Sequence, residues 1–197
     1  MKWLIVCIAI IVLALVINNF QNIADFFSVG NSPESQHLFN FSGYRLYSRS
    51  PMEEAVKTPV YPNEQALKDI FYNKSVYRIR LAFIPNESIN GYYGVVSYGL
   101  AVKMPIIIQN KTGKSVIIES FPVNSTEEAK SYSSPRGPII LMLPPWQSNR
   151  TAVTIDGYLI LLEGSSFDET NRDYFDLDLA ADKLILTLME QYETSGG

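Results

Sequence analysis

Six acids fall within one stretch of 15 residues: Asp168, Glu169, Asp173, Asp176, Asp178 and Asp182. Oxygen-rich loops can hold a divalent cation, which makes Asp168, Asp173 and Asp176 the metal candidates. Counting EF-hand positions from Asp168, however, puts Arg172 where a ligand is needed. Asp178 and Asp182 stand four apart, on one face of a helix, and paired carboxylates can perform acid–base or glycosidase work. Acids at the start of a helix also simply complement its dipole. Arg78 and Arg80 share one face of an alternating strand pattern, as a solvated sheet face or as a patch for an acidic ligand. The single histidine, His37, sits in a polar segment, and the single cysteine, Cys7, sits in an apolar run. This excludes a disulfide framework, a Cys/His zinc site and a Cys–His nucleophile. There is no Gly-x-Ser-x-Gly elbow, no P-loop and no Gly-x-Gly-x-x-Gly. No catalytic residue and no cofactor are assigned, and the reading leans away from an enzyme.

The elements that would position these residues follow from periodicity. Residues 28–58 are rich in Ser, Asn and Pro and read as an extracytoplasmic linker. An ectodomain follows over 59–192, and 193–197 read as a flexible tail. Asn63 caps a helix from Glu64 to Tyr72, and Ser75–Ile84 alternates as a strand. Gly91–Lys103 is rich in Tyr and Val and reads as a second strand. Met104–Gln109 and Lys114–Ser120 read as a hairpin around Asn110–Gly113. Ser125 and Glu128 form a capping box for a helix to Tyr132. Gly137–Pro145 is a continuous apolar strand, and Asp156-Gly157 turns a second hairpin. Asp173 or Asp176 caps a final helix. The expected class is α+β, a mainly antiparallel sheet with helices on one face. The alternative is a three-layer α/β arrangement.

Location is the clearest expectation. Trp3–Ile17 is a run of 15 apolar residues preceded by Lys2. As a helix it rises about 22 Å, less than the hydrocarbon core of roughly 30 Å, so the span would continue to about residue 27. It reads as a membrane anchor with the N-terminus in the cytoplasm, and a cleaved signal peptide is the alternative. All six Asn-x-Ser/Thr sequons, at Asn40, Asn73, Asn86, Asn110, Asn124 and Asn149, follow this run. They fall in turn-like segments, as glycan acceptors must. The net charge of −4 argues against a nucleic-acid partner. The expected partners are the lipid bilayer and other envelope proteins or glycans, with Trp146 and Arg150 as contact candidates.

Three resemblances enter beside these readings. Ser48-Arg49-Ser50-Pro51-Met52 resembles the nucleophile region of signal peptidases, whose Ser–Lys dyad needs no histidine. Pro51 interrupts the motif, and the downstream partner motifs are missing. The apolar N-terminus superficially resembles type IV pilins, without their Glu or their processing site. From Gly137 the chain runs apolar strand, polar Asn149-Arg150-Thr151 loop, strand to Gly164, acidic loop and helix. That order is similar to archaeal S-layer-like and cell-wall-binding surface modules, with Pro144-Pro145 where those have a Gly-Gly turn. The resemblance implies surface attachment or assembly rather than an activity.

Overall fold

Alternation of apolar and polar side chains opens β4 (Arg78–Phe83), an inner strand of the main sheet next to its edge. The computed structural model describes residues 37–168, 174–190 and 193–194. The anchor at 1–27, linker residues 28–36, Asp173 and residues 195–197 lie outside them. Residues 37–58, read from composition as linker, carry regular elements instead. β1 (His37–Phe41) and β2 (Tyr44–Ser48) pair antiparallel. A short helix α1 (Met52–Ala55) follows and buries Met52 and Ala55. β9 (Glu193–Thr194) returns to pair with β1, so part of the expected tail closes a three-stranded sheet.

The main sheet has six strands in the order β3-β7-β8-β6-β4-β5. β5 (Ile117–Pro122), β4, β6 (Ile139–Met142) and β8 (Leu159–Glu163) run parallel. β7 (Ala152–Asp156) is antiparallel to β8, and β3 (Val60–Tyr61) lies parallel to β7. The expectation of a mainly antiparallel sheet is therefore corrected: the fold is mixed α and β with a mainly parallel sheet.

The cause of the error is one helix. α3 (Asn90–Thr112) is 23 residues long and occupies the stretch expected to form one strand and the first half of a hairpin. It buries Tyr93, Val96, Ser97, Leu100, Met104, Ile107 and Ile108, the three-and-four spacing of a helix face. That period is hard to see because the outer positions Tyr98 and Val102 are apolar as well, and Gly and Pro105 look like breakers. Gly113, expected to turn a hairpin, closes the helix in the left-handed conformation at φ 73°. With a helix between β4 and β5 the connection becomes a crossover, and a crossover places consecutive strands parallel. Among the described residues α3 alone is long and apolar enough to cross a membrane by length and composition. Here it packs on the sheet.

Helices cover both faces, the layering of the alternative. α3 and α5 (Phe175–Met189) pack with Ile79, Leu81, Ile140, Met142 and Ile160. α2 (Glu64–Phe71), capped by Asn63 as expected, joins them through Leu67, Ile70 and Phe71. On the other face α4 (Thr126–Tyr132) sets Ala129 against Ala82, Ile139, Leu141 and Leu159. Ser125 caps it as expected, with the Glu128 amide donating to Ser125 Oγ, while the Glu128 carboxylate accepts from the Asn124 amide rather than from that of Ser125.

Candidate functional site

Two constellations of charged side chains flank the sheet. The first is buried on the α3/α5 face. α5 turns Asp178 and Asp182 inward, and both are almost fully buried. The backbone leaving β2 brings Ser48, Arg49 and Ser50 over them. Ser48 Oγ and Ser50 Oγ each donate to Asp182 Oδ2 at 2.7 Å, and the Ser50 amide adds a bond at 3.2 Å. Lys103 Nζ reaches Asp182 Oδ1 at 3.1 Å. Arg49 Nε donates to Asp178 Oδ2 at 3.1 Å, and the Tyr92 hydroxyl donates to the same oxygen. The Arg49 guanidinium also lies over the Tyr92 ring, 5.1 Å from its centre.

The two carboxyls respond in opposite ways. Burial pushes Asp182 upward, but the Lys103 charge and the Ser48 and Ser50 hydroxyls outweigh it and hold the group below its ordinary value. Burial dominates at Asp178, and its pKa is raised to about 6 despite Arg49 and Tyr92, with the Asp182 charge adding to the rise. This is a locked ionic cluster rather than an activated nucleophile. The serines donate to one oxygen of Asp182 while Lys103 holds the other. A Ser–Lys dyad would need the amine to accept the serine proton. Ser48 and Ser50 are 1% and 0% exposed, out of a substrate's reach.

The other sequence candidates are dispersed. Asp176 accepts from the amides and hydroxyls of Ser165 and Ser166, clasping the loop before α5. Its burial favours the neutral acid, but hydroxyls of Ser165, Thr151 and Ser166 hold its pKa down. No group of three or more His, Cys, Asp or Glu suited to a metal occurs among the described residues. Trp146 projects from a 3-10 turn (Pro145–Gln147) after β6 and is 59% exposed. Arg150 is engaged within the fold: it pairs with Glu163 at 3.2 Å and stacks on Tyr61 at 4.5 Å. The sequon residues Asn73, Asn110, Asn124 and Asn149 are exposed, whereas Asn40 and Asn86 are half-buried. Asn73 Oδ1 accepts from the Ser75 amide at 2.9 Å, and Asn86 Oδ1 from the Ser88 amide at 3.0 Å. These Asx turns engage the carbonyl oxygen and not Nδ2, the atom that carries a glycan.

The second constellation is an open groove on the α4 face. Its volume is about 480 Å³, and its lining includes Arg78, Arg80, Glu119, Phe121, Glu128 and Tyr132. Parallel pairing of β4 with β5 sets Arg80 opposite Glu119 and Ala82 opposite Phe121. Glu119 nevertheless turns to Arg78, at 3.4 Å from Nη1. Nε of both arginines is buried without a hydrogen-bond partner. Sequence reasoning placed Arg78 and Arg80 together on one face, and the structure adds the groove around them.

Compared with protein-family models, with curated proteins and with solved structures, the chain matches none.

Proposed function

We propose that this chain is a single-pass, N-terminally anchored, N-glycosylated extracytoplasmic protein that acts as a structural or interaction module of the cell envelope. The observation that carries the reading is sequon placement: four of the six acceptor asparagines are solvent-exposed at turns, loops or helix ends beyond the apolar run. A glycan requires that exposure. Exposed Trp146 gives such a module an aromatic contact. The competing reading, an envelope hydrolase built on the acidic cluster, draws less support from the acids that are described. Asp176 clasps a loop while Asp178 and Asp182 are sealed in the interior, so these acids line no common cleft. Expression in a host with an N-glycosylation system should give a membrane-bound product heavier than 22.2 kDa by several glycans. Asn→Gln changes at Asn73, Asn110, Asn124 and Asn149 should each remove one step of mass. An unmodified product in the cytosol would sink the reading. An accessory subunit of a membrane complex belongs to the same class of interaction protein, and purification in mild detergent with partner identification separates the two.

A further inference from the structure

The guanidinium of Arg80 has neither an ion pair nor a hydrogen-bond partner among the described residues, although its Nε is wholly buried. The residue is half-buried, so the guanidinium is partly desolvated without a counter-charge while still reachable from the groove, a setting that favours an anion. Gly137 lies beside it, where an added Cβ would stand 3.4 Å from Arg80 Nη2. The turn carrying Gly137 is itself pinned by paired backbone bonds between Ser134 and Gly137 at 3.1 and 3.2 Å.

The charges around Arg80 define what it can take. Of the two arginines only Arg78 has a partner carboxylate, Glu119. Glu128 is committed elsewhere: its Oε2 accepts from the Asn124 amide at 2.7 Å and from Asn124 Nδ2 at 2.9 Å. The groove lining thus carries two charges of each sign, but Arg80 has no carboxylate of its own, and the negative charges of Glu119 and Glu128 disfavour a multiply charged group. A single carboxylate matches both facts and suits the planar fork of an arginine. One wall is aromatic, Phe121 and Tyr132 meeting edge to face at 6.1 Å, a surface for the apolar face of a ring. The rim carboxylates and Ser120 can accept hydrogen bonds from hydroxyls. The groove volume falls within the usual range for small-ligand sites.

We propose that the Arg78–Arg80 groove binds a carboxylate carried on a sugar ring, a hexuronate, with Arg80 holding the carboxylate and Tyr132 flanking the ring. The site does not depend on where the chain resides, so its test is separate from that of the anchored-glycoprotein reading. The experiment is calorimetric titration of the full chain in mild detergent with sodium glucuronate, glucose and inorganic phosphate. Glucuronate should bind saturably, and glucose and phosphate at least about tenfold more weakly. Arg80→Gln should weaken glucuronate by about tenfold or more with the thermal transition retained. Arg78→Gln is the second variant should Arg80→Gln fail to fold. A uronate-terminated disaccharide distinguishes the source: tighter binding than the monosaccharide points to a polysaccharide end, and equal binding to a free sugar acid. Absence of saturable glucuronate binding, an unchanged affinity in both variants, or tighter binding of phosphate would overturn the proposal.

Discussion

The two faces of the sheet treat charge in opposite ways. On the α3/α5 face, Arg49, Lys103 and Lys183 each meet an acceptor: Asp178, Asp182, and the Val56 carbonyl with Glu64. On the α4 face, Arg80 has a position but no partner. A closed set of charges that excludes water holds a fold together and offers a ligand nothing. An open set contributes less to the fold and leaves a charge accessible to a ligand.

The contrast can be broken at its stronger end first. Lys103→Met leaves the Asp182 carboxylate buried without its cation and should cost about 3–5 kcal/mol, read by chemical denaturation. Replacing both partners by apolar residues should recover only part of that loss, because the buried Ser48 and Ser50 donors then lose their acceptor. Retained stability in the single variant would mean that water reaches Asp182 and that the cluster is not closed.

Asp178 gives the next largest effect, through pH. Its folded pKa of about 6 lies above the ordinary 3.8, so between those values the folded chain binds a proton that the unfolded chain has released. Stability from this group is complete at low pH and declines as pH rises to about 6, by about 3 kcal/mol in total. Asp182, held low, works the other way: its contribution is present above the ordinary carboxylate value and is lost as pH falls through the folded one. Asp178→Asn should flatten the decline between pH 4 and 6, measured by denaturation at several pH values. An unchanged slope would show that the decline originates elsewhere.

The smallest effect sharpens the comparison most. Arg80→Met removes a cation that nothing in the fold answers, so the chain should be unharmed or gain about 1 kcal/mol. A loss of stability would show that Arg80 serves the fold as Lys103 does.

Signals that stay local are legible in the sequence. Asn63 and Ser125 cap the helices they were expected to cap, and Asp156-Gly157 joins β7 to β8. The misreadings share another cause. α3 is apolar on its outer face as well as its inner one, so Tyr, Val and Ile favoured a strand until packing decided otherwise. Residues 37–58 looked like linker because their partners are distant: Arg49 meets Asp178 across 129 positions. Ser48-Arg49-Ser50 reads as a nucleophile segment in the sequence and serves in the structure as a set of donors to Asp178 and Asp182. A nearby lysine is present, but it answers an aspartate that no local pattern could place there. Arg78 and Arg80 are legible as a pair, whereas which of them pairs with Glu119 depends on the way that side chain turns.

The bond between Ser48 and Asp182 spans 134 positions of chain. At a synthesis rate of about 5–20 residues per second, Ser48 is made roughly 7–27 s before the aspartate it binds. For that interval the β1–β2 hairpin can form on its own, but Arg49 and Ser50 have nowhere to dock. Lys103 likewise waits in water on a helix whose inner face is already apolar. The closure that joins the two ends of the domain must therefore be among the last events in its folding. A nascent chain halted before α5 would leave the segment nearest the apolar run untethered.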